Sequence, residues 1–410
     1  MHNVSLQDYS GSGFDVGGDY TRYTSDNNQT LSADYTEGGQ SCFSIIGGQK
    51  IDRYSIYADR KRSLGKEWNL SYGMSYRFAK DRDFQTYDKV VGDIQTENTD
   101  SRLHEHTANV YVSLSKNYAT GTSVSVSATG EYYTIGSYRK WAVYPQASLT
   151  YVKSPEHLFQ FSLSTDKTYP GYWHMQSSVS HLNGYTELWG TPGLKPSTTY
   201  NLNGNYIWKQ KYIFGLFFMH TSDFFVQTGY QSTDRLALIY KNTNWNYMQM
   251  WGANVILPFK VGNWLDSRLT LIGMQVRQRC DDFFDIPFNR KKWMFNGSLD
   301  NTFKVSKNLA LELIGSLQTP MIQGTFDIET VYNLTAGIKW GFANDRISLS
   351  ARCSDLFNSG MPNLKVRFKG QHLDMNNGFY SRAFTLLFNY RFGGYKKKEV
   401  RKIDTSRFGH

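Results

Sequence analysis

EWNLSYGMSYRFAK, residues 67–80, places Trp68, Leu70, Tyr72, Met74, Tyr76 and Phe78 at every second position, with Asn69, Ser71, Gly73, Ser75 and Arg77 between them. A period of two belongs to a β-strand, because successive side chains on a pleated backbone point to opposite faces. One face is apolar and the other polar. Strands of soluble sandwiches usually run about five or six residues, whereas this alternation persists for the length a tilted strand needs to cross a bilayer, about ten.

The pattern recurs along the chain. Ala108, Val110, Val112 and Leu114 alternate with polar partners, as do Val124, Val126 and Ala128, then Leu309, Leu311 and Leu313, and finally Phe384, Leu386, Phe388 and Tyr390. The apolar faces carry no charge. Arg77, Glu131, Asp300, Lys304, Glu312, Lys339, Arg352 and Arg391 all fall on the other face. A cation facing mid-bilayer lipid costs about 2–4 kcal/mol while a polar lumen tolerates it, so a lipid environment would impose this sorting. Trp68, Trp208, Trp340 and Phe392 stand at strand ends, as an interfacial aromatic girdle requires.

Composition agrees. Aromatic residues make up 16% of the 410 residues, with 29 Tyr, and charged residues 20%; mean hydropathy is −0.52. No stretch approaches the apolar length of a transmembrane helix, a test to which a barrel is blind because half of each strand faces a polar lumen. The net charge of +10 is scattered. Its one dense run, Lys396, Lys397, Lys398, Arg401 and Lys402, lies in a solvated tail after the last strand, so no nucleic-acid partner is expected. Cys42, Cys280 and Cys353 are odd in number and lack CxxC spacing, which signals neither a zinc site nor a disulfide framework.

Short turns such as LGKE (64–67), ATGT (119–122) and SPEH (154–157) alternate with longer segments near 24–46, 81–102, 169–196, 226–236, 281–290 and 354–379. That asymmetry is the plan of an outer-membrane barrel with short periplasmic turns and long extracellular loops. About sixteen strands are expected between residues 10 and 393, wide enough for an aqueous channel. Two places fit poorly: Pro145 inside a strand, where a ladder hydrogen bond is lost, and YIFGLFFM (212–219), apolar on both faces.

The segment TYPGYWHMQSSVSHLNGYTELWGTPGLKPSTTYNLNGNYIW (168–208), with SDLFNSGMPN (354–363) and the closing FTLLFNYRFGG (384–394), resembles the C-terminal part of TonB-dependent receptors, in the branch called the outer membrane protein beta-barrel family. The resemblance implies an all-β antiparallel transmembrane barrel in the cell outer membrane, of about 22 strands in the family. It also implies a signal peptide and a plug domain with an energy-coupling segment, none of which this sequence displays. Residues 1–394 are then expected to form the barrel and residues 395–410 a basic periplasmic tail. The function implied is capture of an unidentified small ligand by extracellular loops and its passage through the lumen. An energy-coupling protein would be a partner only if a plug is supplied by an N-terminal part, and outer-membrane lipid is a partner of the wall. The alternative is a passive porin-like or structural barrel.

Five aromatic residues in the long segment, Tyr169, Tyr172, Trp173, Tyr185 and Trp189, are the candidate ligand contacts, since stacking faces in a barrel mouth can grip a sugar, cofactor or peptide. His104 and His106 share one strand face without a further metal ligand. Asp281, Asp282 and Asp285 read as a solvated tip or as partners of Arg290, Lys291 and Lys292. GSGFDVGG (11–18) lacks the helix and the Lys-Ser/Thr ending of a phosphate loop. With no nucleophile elbow, no enzyme activity, cofactor or metal is expected.

Overall fold

The computed structural model describes residues 2–10, 13–34, 39–65, 67–92, 96–342, 346–376, 378–391 and 407. Within these, nineteen strands join into one sheet, antiparallel at every pairing but one. Seventeen are staves of a wall, each paired to the next in chain order: His2–Ser10 (β1), Phe14–Asp34 (β2), Gln40–Leu64 (β3), Trp68–Val91 (β4), Thr99–Asn117 (β5), Ser123–Ile135 (β6), Tyr138–Ser154 (β7), His157–Thr168 (β8), Ser197–Trp208 (β9), Tyr212–Gln231 (β10), Leu238–Val261 (β11), Leu265–Phe283 (β12), Ile286–Lys304 (β13), Leu309–Gln318 (β14), Val331–Phe342 (β15), Ile347–Ser354 (β16) and Ala383–Tyr390 (β17). All sixteen expected strands are present. The additional one, β1, carries only Val4 and Leu6 as a mark of alternation, too little to read. Phe392 lies outside the described residues.

Burial is inverted relative to a soluble protein. In β4, Tyr72, Met74 and Tyr76 are 40, 63 and 42% exposed, while Asp81, Asp83 and Gln85 on the opposite face are at most 4% exposed. Between Trp68 and Phe78 apolar residues look outward and polar ones inward, the arrangement lipid outside and a polar interior demand. Gly73 sits on the inner face because a Cβ there would stand 2.3 Å from Asp59 Oδ1 and 2.7 Å from the Tyr111 ring. On the outer face, Tyr20, Tyr54, Phe78 and His106 are direct cross-strand partners in one row. A second row of Tyr151, Phe159, Tyr206 and Phe214 lies toward the short turns of the next staves. From Phe78 to Trp68 on β4 is ten residues, about 33 Å along the strand and about 25 Å along the normal at a tilt near 40°, the height of an outer-membrane apolar band. No described helix is long and apolar enough to cross a membrane.

Several expected loops prove to be strand. Residues 24–34 and 40–46 continue the β2–β3 ladder from Phe14↔Arg60 to Asp34↔Gln40, and β3–β4 pairing reaches Cys42↔Val91. Residues 24–30 are polar on both faces and residues 42–46 carry apolar side chains on both, so neither shows the period of two, yet their backbone groups still pair. The 281–290 connection shrinks to a tight turn at Phe284 and Asp285, with φ of 49° and 59°. Pro145 is tolerated because the β7–β8 ladder spans only Ala147 to Ser154 on β7; Pro145 itself pairs with Ala128 of β6. Beside it the Thr165 hydroxyl donates to the Pro145 carbonyl at 2.7 Å.

Two groups of long connections fold inward. Residues 169–196 pack against β3, β4 and β6, where Ile51, Ala79, Tyr133 and Ile135 meet Tyr172, Met175 and Leu194 in a buried apolar cluster. Short strands at 321–323, 326–328, 364–368 and 371–375 form a separate four-stranded sheet. It is held to the wall by Gln371 bonded to Gln231, by Arg290 bonded to Asp327, and by Phe368 edge-on to Phe288 at 4.7 Å. Beneath the first group the inner wall is polar, with a hollow of about 330 Å³ among Asp59, Asn109, Tyr111, Glu131, Gln146 and Lys167. Ile213, Phe217 and Met219, the inward half of YIFGLFFM, are half-buried.

Candidate functional site

The mouth of the wall is organised by two buried acids. Glu131 on β6 accepts from the Lys167 ammonium, from the Tyr169 hydroxyl and, at 3.2 Å, from the Tyr144 hydroxyl. The Lys167 ammonium also lies 4.3 Å from the Tyr133 ring centroid and 4.9 Å from that of Tyr169. Glu105 on β5 accepts from the Tyr172 hydroxyl at 2.5 Å and from Arg407 Nη1 at 2.8 and 3.0 Å. Arg407 further donates through Nε to the Pro170 carbonyl at 2.9 Å, and its own carbonyl accepts from the Tyr172 amide at 3.1 Å. Buried carboxylates are tolerated only when a cation and further donors satisfy them. Burial, reinforced by the neighbouring Glu131, drives the Tyr169 phenol upward, so it stays a donor. These bonds root the segment that follows β8 on the inner wall.

Beyond the root, a single 3₁₀ turn, Tyr172–Met175, leads to a hairpin of Val179–Asn183 and Thr186–Trp189. The first strand touches the upper ends of β2 to β4: the His181 carbonyl accepts from Gln29, the Val179 carbonyl accepts from Gln85 at 2.8 Å, and His181 Nε2 meets the Tyr87 hydroxyl at 3.2 Å. The second strand pairs in parallel with Leu238–Lys241 of β11, seven staves from β4. The hairpin therefore bridges the mouth. Arg235 forks onto Glu187, with one bond of 2.7 Å, and the Trp189 indole donates to the same carboxylate at 2.8 Å. Burial would raise the Glu187 pKa, but those donors hold it below its ordinary value. Gly190 ends the hairpin where a Cβ would stand 1.9 Å from the Gln176 carbonyl oxygen.

The five aromatic candidates divide. Tyr172 is 1% exposed and Tyr169 is engaged with Glu131, so both serve as roots. Trp173 and Tyr185 are exposed, and Trp189 is half-buried with Lys241 5.8 Å over its ring. Trp173 stacks on His174, whose carbonyl accepts from Thr191 at 2.7 Å, which brings the Trp173 and Trp189 limbs together; Tyr185 stands at the hairpin tip. A cluster the sequence did not suggest adjoins them. Tyr230 and Phe284 stack in parallel at 4.0 Å, and Lys241 lies 5.9 Å over Phe284. His104 and His106 point outward, against Phe78, while Glu105 between them points inward. Asp281 pairs with Arg279 at 2.7 Å and bonds Asn246, whereas Arg290 and Lys292 turn to Asp327, a correction to the expected partners.

Burial lowers the His181 pKa, with Glu187 opposing, and burial also lowers that of His174. Both rings are neutral in the docked segment and return to about 6.5 when it opens. The open form then binds more protons below about pH 6.5, so docking is complete above that pH and weakens as pH falls through the depressed docked values. Hydrogen exchange of the Val179–Trp189 amides, corrected for intrinsic rate, is expected to be severalfold faster at pH 5.5 than at pH 7.5. His181→Asn should flatten that difference.

An inside-out antiparallel wall with a hairpin across its mouth defines a transmembrane β-barrel of the outer-membrane type. The outer membrane protein beta-barrel family model matches residues 7–390, and the chain belongs to that family. No curated protein matches the sequence. Among solved structures, the wall is similar to the FrpB iron transporter from Neisseria meningitidis, F5-1 variant (TM-score 0.57, 10% identity, 95% of this chain and 72% of that one). It is also similar to the pyoverdine outer membrane receptor FpvA from Pseudomonas aeruginosa PAO1 (TM-score 0.56, 12% identity, 95% and 61%). A third is the siderophore receptor PirA from Pseudomonas aeruginosa (TM-score 0.54, 12% identity, 94% and 69%). The likeness shows the barrel fold, and the family places the wall in the outer membrane. In one similar structure, a complex of FpvAI with pyocin S2, the chain spans 53% of its counterpart's length.

Proposed function

We propose that this chain is the barrel portion, residues 1–394, of a TonB-dependent-receptor-like transporter. It captures a small ligand at its mouth and passes it through a polar lumen. The reading is carried by one observation: the segment bridging the mouth presents Trp173 and Tyr185 exposed, with Trp189 half-buried beside them, above a wall that is polar inside. Exposed rings over a polar passage suit a ligand held by stacking and released inward. The half-buried Ile213, Phe217 and Met219 on the inner face suit a plug supplied from outside the described residues, through which an energy-coupling protein would act.

Tryptophan fluorescence tests this reading. Ferric pyoverdine is the first probe, since pyoverdine is bound in a receptor with a similar barrel. Saturable quenching is expected, with Trp173→Ala weakening affinity about tenfold, or about 1.4 kcal/mol. Large steady conductance in planar bilayers without saturable quenching would instead identify a passive pore.

A further inference from the structure

Beyond the aromatic row of Tyr20, Tyr54, Phe78 and His106, the outward face carries two further cross-strand rows. The first is Arg22, Asp52, Lys80 and His104; the next is Thr24, Lys50, Arg82 and Arg102. Arg139, paired through Thr134 to His106, extends the patch. The arrangement repeats elsewhere on the wall. Above a row of Phe218, Trp251, Gln275 and Trp293 lies one of His220, Gln249, Arg277 and Lys291, then one containing Arg279.

Each row is two residues farther along the strand, about 7 Å. The cations therefore lie about 5–10 Å above the girdle along the normal, at the depth of lipid headgroups rather than in open solvent. Carboxylates are few at that level. Arg22 pairs with Asp52 at 2.6 Å, Arg82 with Asp100 at 2.8 Å and Arg279 with Asp281 at 2.7 Å. Lys50, Lys80, Arg139, Arg277 and Lys291 make no ion pair within 4.0 Å among the described residues.

We propose that this belt binds the phosphate groups of an anionic lipid in the membrane leaflet on the long-loop side. Arginine forks and lysine ammoniums above a ring of aromatic side chains match a headgroup that presents phosphate while its acyl chains lie along Ile56, Met74, Tyr76 and Val110 below. The inference rests on the outward face alone and is independent of any ligand in the lumen.

Thermal melting of the detergent-purified chain titrated with diphosphoryl lipid A, its dephosphorylated counterpart and inorganic phosphate decides it. Diphosphoryl lipid A should raise Tm saturably, and the other two should not. Lys50→Gln/Lys80→Gln/Arg102→Gln should raise the half-saturating lipid concentration about tenfold, with the lipid-free melt unchanged. Equal shifts from the two lipids, a shift from inorganic phosphate at matched concentration, or an unchanged titration of the triple variant would each overturn the proposal. Should the variant fail to fold, the comparison of the two lipids on the unaltered protein still decides.

Discussion

Lys167→Met is expected to destabilise the folded barrel by about 3–5 kcal/mol, because it strands a buried carboxylate. Glu131 and Lys167 have side chains 4% and 7% exposed, and the lysine ammonium is the only cation in ion-pair contact with Glu131 among the described residues. After the substitution only the Tyr144 and Tyr169 hydroxyls remain to hold the charge. Removing both partners tells a different story. Lys167→Met/Glu131→Gln leaves no buried charge, and the double variant should recover most of the loss. Guanidinium unfolding in lipid vesicles measures all three variants. Equal losses in the single and double variants would mean that the pair contributes by packing rather than by charge neutralisation. Because Tyr169 is anchored on the same carboxylate, protease sensitivity within 169–189 should rise with Lys167→Met and fall back in the double variant.

Val110→Arg should cost about 2–4 kcal/mol, since it places a guanidinium on the lipid face near the middle of the apolar band. Val110 is 66% exposed and lies in the row of Met74 and Ala58. Ser75→Arg, on the cross-strand partner of Asn109, faces the polar hollow beside Asp59 and is expected to change stability by no more than about 0.5 kcal/mol. The contrast separates two worlds. On a water-soluble sheet an exposed valine accepts arginine almost freely, whereas in lipid the exposed position is the costly one. Unfolding titrations in vesicles of both variants supply the comparison, and equal effects would remove lipid as the medium that the outer face meets.

The wall was legible because each side chain's solvent is written locally. Trp68 to Phe78, Val110 to Leu114 and Phe384 to Tyr390 each declare a face within one strand, and strand length declares the bilayer. What stayed illegible had no such local mark. The ribbons of residues 24–34 and 81–91 are mostly polar, with their few apolar residues out of step, so their pairing leaves no periodic trace. Tyr169 and Tyr172 look like Trp173 in sequence, yet the first two are spent on Glu131 and Glu105, and only the third faces outward. The ring cluster of Tyr230, Phe284 and Lys241 comes from two strands and a turn far apart in the chain.

Sequence alone thus determined the fold class, the side of the wall that residues of the alternating stretches take, and the membrane in which the wall stands, because alternation is a property of neighbours along one strand. Only the tertiary structure decided which loop bridges the mouth, which aromatic residues remain available there, and that the outward cations gather in rows above the girdle. Those depend on register between strands and on which buried charge finds which partner, and both are settled by contacts between residues distant in the chain.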